Sequence, residues 1–516
     1  MSLLDDVSIV VTPNGYKAGE LYAVIPSDGT ADMDVTRATA ATRVDENGLL
    51  NYAEILSAEL VVDGGFDDSG EWTSSNDTGG AWVISGGKAT VDCSSNSILN
   101  NNSSYTIVTG TIYKCTFDIT EHNSGTVRIR MGSGGTANGT VRAAVGTYTE
   151  YIVGVAGAKN INFEASFSSG FNGSIDNVSV KEAARDNVPR IDYTGGGCPH
   201  ILAEPQRTNL VLYSQFFDSS QWIKKGTASV TDNTSVSPSG LTNACTLSDA
   251  TDLLWAGNML TTQRNVTSST EYTFSIFVKN ISSTTLEVGI RDSTDGTVTS
   301  ESVTLTNEWQ RVDITKTSGS STSKLAGMIG GTDGDILIWG GQMEEGSYAT
   351  SYIPTSASTV TRNQDQFTRD GIGSLINSTE GVLFAEMAAF EDDDDYRYLG
   401  LNDGTDDNRV VILYYLNNNR IRAVLSSGGV NFVDEYYTVS SLSDFHKIAL
   451  KWKANDFSLW VNGVERATET SVTVPVGLSH LSFDKGGGTN TFNGKVKQLQ
   501  VYNTALTDVQ LAALTS

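Results

Sequence analysis

The chain has 516 residues and carries 34 lysines and arginines against 60 aspartates and glutamates, a formal charge of −26. A single hydrophobic core stops growing near roughly 250–300 residues, so three or four domains are expected. A negative field of this size repels phosphate backbones and anionic lipid surfaces, which argues against nucleic acid, and no apolar run approaches the length of about 18 residues needed to span a bilayer, which argues against membrane insertion.

Only 18% of the residues are charged and 51 are glycine. Together with abundant Ser, Thr, Asn, Val and aromatics, this is the composition of short strands joined by tight turns. The predicted class is all-β: a multidomain string of antiparallel β-sandwiches ending in one short helix. The opening MSLLDDVSIVVTPNG has acids where a signal peptide carries Lys or Arg, so the expectation is a protein made in a cytoplasm without a signal peptide. Cys93, Cys115, Cys198 and Cys245 have neither a disulfide-framework density nor a C-x-x-C spacing, and all four are expected to be buried thiols.

In chain order, residues 1–55 read as a small β segment (Val7–Thr12, Leu21–Val24, then the polar Thr36–Arg43) that needs a neighbour or a symmetry mate to cover it. Residues 56–183 alternate apolar and polar through Tyr113–Ile119, Thr126–Met131, Tyr148–Val155, Asn160–Ala165 and Ser174–Val180, the pattern of a sandwich. Residues 184–209 form a connector, kept irregular by Thr194-Gly-Gly-Gly-Cys-Pro199 yet apolar enough to pack. Residues 210–365 are a second sandwich (Glu271–Val278, Leu286–Ile290, Trp309–Thr315, Asp335–Trp339). Its opening Phe216-Phe-Asp-Ser-Ser-Gln-Trp222 echoes Gly65-Phe-Asp-Asp-Ser-Gly-Glu-Trp72 of the first, as two related modules would. Residues 366–516 alternate through Val382–Ala388, Val410–Tyr415, Arg420–Val424, His446–Lys453, Phe457–Val461 and Val496–Tyr502. They close in a predicted helix, Thr507–Leu514, with capping-box spacing at Thr507 and Gln510 and an apolar edge of Val509, Leu511 and Leu514.

Three segments resemble known families. Pro189-Arg-Ile-Asp-Tyr193, Leu202-Ala-Glu-Pro-Gln-Arg-Thr-Asn-Leu210, Tyr213-Ser-Gln-Phe-Phe217, Gly341-Gln-Met-Glu-Glu-Gly346, Thr350-Ser-Tyr-Ile-Pro-Thr355 and Val360-Thr-Arg362 are similar to a module recurrent in tailed-bacteriophage tail-fibre and minor structural proteins. Thr36–Arg43 resembles the element upstream of that module, which makes 59–182 an inserted domain. The insert, with Leu60-Val-Val-Asp-Gly-Gly-Phe66 and Ile175-Asp-Asn-Val-Ser-Val180, resembles jelly-roll carbohydrate-binding modules. Trp460-Val-Asn-Gly463, Gly494-Lys-Val-Lys-Gln-Leu-Gln-Val-Tyr502 and Ala505-Leu-Thr-Asp508 resemble a laminin-G or concanavalin-A-like lectin domain. These resemblances imply a virion appendage, a tail fibre or related fibre, that binds host-surface polysaccharide. Its N-terminus would dock on other virion proteins and it would assemble as a homotrimer. The alternatives are a purely structural head fibre, decoration or adaptor protein, or a bacterial surface lectin.

No catalytic centre is predicted. The acid spacing of concanavalin-A-like glycosidases, Glu-x-Asp-x-x-Glu, does not occur in the last block, and His122, His200, His446 and His480 are scattered without a nucleophile or metal motif. Aromatics suit sugar recognition, because a ring's C–H face stacks on an indole or phenol. The candidate carbohydrate-binding residues are Trp72, Trp82, Trp222 and Trp255, with core burial as the competing reading, and Tyr415 and Tyr436. The last two come from the adjacent pairs Tyr414-Tyr415 and Tyr436-Tyr437, of which one member must face outward in an extended strand. For calcium (Ca2+), Asp403 and Asp406 lie near Asp407 and Asp392-Asp-Asp-Asp395, and the jelly-roll resemblance implies a structural ion at Asp176.

Overall fold

The computed structural model describes residues 6–68, 70–76, 79–103, 105–131, 137–155, 160–165, 169–252, 257–391, 396–415 and 419–516. It divides into two compact units, Glu54–Arg185 and Met1–Ala53 with Asp186–Ser516. The regular structure of the described residues is almost all antiparallel strand, with one α-helix at Asp508–Thr515.

The first unit is a sandwich. Its long strand Ile112–Gly125 turns Tyr113, Cys115, Phe117 and Ile119 into the core because side chains alternate along a strand. Ten strands follow in sequence: Trp72–Ser75, Val83–Ile84, Ala89–Cys93, Ser97–Asn101, Ile112–Gly125, Val127–Met131, Ala137–Asn138, Gly146–Val153, Ile161–Ala165 and Phe171–Ala184. One sheet runs first, fourth, ninth, sixth, seventh, and the other second, third, tenth, fifth, eighth. The ten strands from Ile223–Lys224 to Ile336–Glu345, in the other unit, form two sheets in the same orders. The two sandwiches are topological duplicates.

The echo between their openings is structural as well. The Trp72 indole donates to the Asp63 carbonyl at 2.8 Å and the Trp222 indole to the Tyr213 carbonyl at 3.1 Å. Asp63 and Tyr213 both take the left-handed conformation, with φ of 57° and 52°. Phe66 packs on the first indole at 4.9 Å between ring centres and Phe217 on the second at 4.6 Å. In each tenth strand a left-handed residue, Asn177 or Gly340, sits at a break in register with the fifth strand. The next amide, Val178 or Gly341, donates at 2.9 Å to the opening loop, at Gly64 or Ser214. This approach is close: a Cβ on Gly64 would lie 1.9 Å from the Val178 carbonyl oxygen, and one on Gly341 would lie 2.7 Å from the Trp222 indole.

The last block forms one hydrogen-bonded ladder of sixteen strands folded over one large core, with smaller apolar clusters outside it. Along it lie Val430–Thr438, Arg420–Ser427, Arg409–Tyr415, Arg397–Asn402, His480–Ser482 and Gln366–Arg369. Next come the N-terminal strands Met33–Thr36, Glu20–Ile25 and Val7–Lys17, and then Gly494–Tyr502, Glu380–Ala388, His446–Lys453, Phe457–Val461 and Val464–Glu469. Residues 1–55, expected as a segment of their own, thus supply three central strands of this domain. Val7–Lys17 pairs with Gly494–Tyr502 and Met33–Thr36 with Gln366–Arg369, which satisfies edges a small segment could not cover alone. Ile9, Leu21 and Met33 join Leu399, Ile412, Trp452 and Val501 in the core.

The connector packs too: Ile191–Asp192 pairs with His200–Ala203, which pairs with Gly494–Tyr502. Cys198, on its glycine turn, is exposed, unlike the buried Cys93, Cys115 and Cys245, so the expectation of four buried thiols fails at that position. The terminal helix has its capping box, with the Thr507 hydroxyl accepting from Gln510 N–H and the Gln510 side chain accepting from Thr507 N–H. Leu511 is buried, whereas Val509, predicted on the apolar edge, is 81% exposed because this short helix lays only one narrow stripe on the sheet.

Where the connector meets the ends of the second sandwich and the last domain, five charged side chains are buried together. Arg190 binds both Asp365 and Glu204, Arg37 binds Asp365 at 2.7 Å, and Arg362 binds Glu204 at 2.7 Å. Ser351 donates to Glu204 from its amide at 2.7 Å and its hydroxyl at 2.6 Å. Burial alone would raise both carboxyls, but the arginine charges together outweigh it, and Glu204 and Asp365 lie below the usual carboxylate range.

Three outcomes follow. Gly64→Ala is expected to cost about 2–4 kcal/mol of the first sandwich's stability in urea unfolding, and an unchanged midpoint would refute the close approach. Glu204→Gln, which takes the carboxylate from Arg362 and one of two from Arg190, is expected to cost about 3–5 kcal/mol. Because both folded carboxyls bind protons less readily than in the unfolded chain, the cluster's contribution is full above the ordinary carboxylate range near about pH 4–5 and declines as pH falls through and below it. Glu204→Gln should therefore flatten the acid limb of stability against pH, and an unaltered limb would contradict this.

Candidate functional site

Strands Arg397–Asn402, Arg409–Tyr415, Arg420–Ser427 and Val430–Thr438 form one end of the last domain's ladder. Leu399, Ile412, Tyr414, Ile421 and Ala423 face the core, so the intervening residues present the opposite face. Tyr398, Val411, Leu413 and Val424 form a small apolar floor there, with Tyr415 packed against it. Above it stand Tyr396, 38% exposed, and Tyr436, 50% exposed.

The polar groups of this face are arginines held in place by the tyrosines. Tyr396 and Tyr415 meet edge to face at 5.1 Å, and Tyr396 lies 6.2 Å from Tyr398. The Arg422 guanidinium sits 5.1 Å from the Tyr415 ring centre and that of Arg420 sits 4.1 Å from Tyr436. Arg422 forms a two-pronged ion pair with Asp434, which raises its pKa further. A hydrogen bond with the Tyr415 phenol raises that of Tyr396. The result is a shallow amphipathic surface: phenol faces for C–H contacts, with phenol and guanidinium donors beside them.

Of the residues predicted from sequence, this face contains Tyr415 and Tyr436, while their neighbours Tyr414 and Tyr437 pack toward the core. Trp72, Trp82 and Trp222 are not surface platforms: they are 4%, 6% and 1% exposed and fill the sandwich cores, two of them tied to the opening turns described above. Trp255 and Asp392–Asp395 lie outside the described residues. Tyr396, Tyr398, Arg420 and Arg422 escaped the sequence reading, although their spacing of two, Tyr396-x-Tyr398 and Arg420-x-Arg422, carried the signal.

Among the described residues the predicted calcium ligands do not converge. Asp403 accepts from Thr405 and Asn408 within its own loop, and Asp406 is paired with Lys485 and Arg409. Asp176 stands opposite Asp118 across two strands, and Asn177 bridges them by donating to Asp176 at 2.6 Å and to Asp118 at 2.7 Å. Among the described residues no three His, Cys, Asp or Glu gather as a metal set, so as a carboxylate cage this pair is incomplete. The position of Asp176 is taken in the second sandwich by Trp339, packed on Tyr352 at 4.8 Å.

The histidines are spread over the fold. His122 bonds the Gly125 carbonyl, His446 lies between Ser441 and Asn462, and His480 contacts Ser479. His200 is buried in the connector with Nε2 3.4 Å from Asp192, and burial drives its pKa down to about 4, outweighing the carboxylate.

Residues 387–512 match the family described as the concanavalin A-like lectin/glucanases superfamily, and residues 208–328 match the family described as a carbohydrate binding domain. The chain thus carries a lectin-type sandwich and a carbohydrate-binding-type sandwich. No curated protein sequence matches it. Similar solved structures include the carbohydrate-binding module of the Ruminococcus gnavus IT-sialidase bound to α2,3-sialyllactose, at 19% identity over 27% of this chain and 84% of that one, with a TM-score of 0.24. Domain 4 of the Geobacillus stearothermophilus arabinanase AbnA, in complex with arabinotriose, is 13% identical over 33% and 82%, with a TM-score of 0.25. The tandem CBM22-1–CBM22-2 domains of Paenibacillus barcinonensis Xyn10C are 7% identical over 57% and 98%, with a TM-score of 0.21. No helix among the described residues is long and apolar enough to cross a membrane.

His200 supplies the prediction here. Side-chain NMR is expected to give a titration midpoint near pH 4. Because the unfolded imidazole titrates near about 6.5, acidification between these values should weaken the fold. A midpoint at the ordinary value would contradict the burial.

Proposed function

We propose that this chain is a virion appendage of a tailed bacteriophage, a tail fibre or related fibre, that binds host-surface glycans through its sandwich domains. The observation that carries the binding reading is the exposed tyrosine–arginine face of the lectin-type domain, where Tyr396, Tyr415 and Tyr436 offer ring surfaces beside Arg420 and Arg422. Its chemistry suits a polyhydroxylated ligand: apolar contact for ring C–H groups and donors for ring oxygens. The match of a second sandwich to a carbohydrate-binding family supports the same ligand class.

The chain acts by contact rather than by bond cleavage: Asp434, the carboxylate identified on this face, is committed to Arg422. The appendage reading rests on the sequence motifs shared with fibre proteins. Within it, the folded N-terminal segment contacts other virion proteins, three copies associate, and the protein is made in the host cytoplasm. Shallow sites of this kind bind weakly one by one, and several copies on one particle raise avidity without new contacts.

The test is binding of the full chain, displayed multivalently, to an array of bacterial surface polysaccharides. The full chain is needed because residues 7–36 supply strands to the lectin-type sheet. Tyr415→Ala with Tyr436→Ala is expected to weaken binding about tenfold or more while the chain stays folded, since Tyr436 is half exposed and Tyr415 is only partly buried. Absence of binding by the unaltered chain at high valency would favour a purely structural head fibre, decoration or adaptor protein.

A further inference from the structure

Beneath the second sandwich a cleft of about 570 Å3 opens where the strand Arg207–Asn209 meets the turn after strand Leu260–Asn265. Its volume lies within the roughly 300–1,000 Å3 of small-molecule sites. The floor is apolar, made by Leu210, Val266 and the buried ring of Tyr272, whose hydroxyl is fixed by accepting from the Thr267 amide at 2.9 Å. The rim is polar, with Arg207, Asn265 and Glu345 around it.

Those rim groups have unused hydrogen-bonding capacity. Arg207 donates from Nη1 only to the neighbouring Gln206 carbonyl at 3.2 Å, and its buried Nε has no partner among the described residues. The guanidinium is nevertheless held in place, 5.7 Å from the Tyr348 ring centre and so close to Gly346 that a Cβ there would meet it at 2.7 Å. The side chains of Asn265, Thr267 and Glu345 are exposed and make no hydrogen bond or ion pair among the described residues.

One fixed cation and one carboxylate over an apolar floor select against either sign of charge. An anion meets Glu345 and the −26 field of the chain, and a cation meets Arg207. Adjacent hydroxyls of a sugar suit the rim instead, since each can donate to the Glu345 carboxylate and accept from the Arg207 guanidinium while the ring's C–H face covers Leu210 and Val266. The geometry points to this cleft as a separate binding site for a short neutral oligosaccharide. It shares a ligand class with the reading above and uses none of the tyrosines of that face.

The experiment is calorimetric and saturation-transfer NMR titration of the full chain with cellotriose, xylotriose, maltotriose, mannotriose and tri-N-acetylchitotriose. Glucuronate and glucosamine serve as charged controls. Three variants are compared: Tyr415→Ala with Tyr436→Ala, Asn265→Ala with Glu345→Gln, and Thr267→Trp, which fills the cleft from an exposed position. The expected result is that at least one neutral trisaccharide binds, that binding survives the tyrosine double variant, and that each cleft variant weakens it about tenfold or more with an unchanged melting temperature. The proposal is overturned if none of the five binds at millimolar concentration, if the charged controls bind as well, or if binding ignores Thr267→Trp. Loss in the tyrosine variant alone would overturn the cleft and leave the lectin face standing, whereas loss in the cleft variants alone supports the cleft and leaves the lectin face to its own polysaccharide-array test.

Discussion

Five ionised side chains with essentially no access to water impose the main constraint on the larger unit. Arg37, Arg190, Glu204, Arg362 and Asp365 come from segments far apart in sequence, and each is tolerated only while the others are in place. Removing ions from water costs several kcal/mol apiece, so the cluster is better understood as fixing register than as a source of net stability. It holds the N-terminal segment, the connector, the end of the second sandwich and the first strand of the last domain to one arrangement. Pro189-Arg190, Glu204-Pro205, Thr350-Ser351 and Val360-Thr-Arg362 fall on it or beside it. What these segments encode in this chain is therefore a junction.

The duplicated sandwiches illustrate the opposite strategy. They share a tryptophan hooked to a left-handed turn, a phenylalanine on its face and a bulge that receives the opening loop, while the surrounding residues differ. Backbone geometry and one buried indole persist because a change to either clashes or leaves a donor unpaired. Side chains outside that frame are free to differ, as Asp176 and Trp339 do at matching positions.

Much of the fold was legible because period-two alternation is a local signal. Ile112–Gly125 and His446–Lys453 alternate so regularly that their inward faces could be named residue by residue, whereas Gly494–Tyr502 shifts its period between Val496 and Leu499 at a break in register. The pairing of Val7–Lys17 with Gly494–Tyr502 was not legible, since nothing local specifies a partner at the far end of the chain. For Trp72, Trp82 and Trp222 the competing reading, core burial, is the one observed, as a tryptophan near a turn looks the same in sequence whether its ring points in or out. The tyrosine pairs were informative for the reason the tryptophans were not: two neighbours in a strand cannot both face the core. Tyr396 and the two arginines complete the face only through strand register, which places Tyr415 opposite Arg420 and Arg422 opposite Tyr436.

The molecule thus separates its tasks: a buried ionic junction sets architecture, and exposed faces of the sheets make contact. Hydroxyl-radical footprinting of the full chain, with and without purified host-surface polysaccharide, tests that separation most directly. The account predicts that Tyr396, Tyr415 and Tyr436 are shielded by the polysaccharide while buried Tyr414 and Tyr352 react equally slowly in both samples. Equal labelling of the three exposed tyrosines with and without saturating polysaccharide would contradict it.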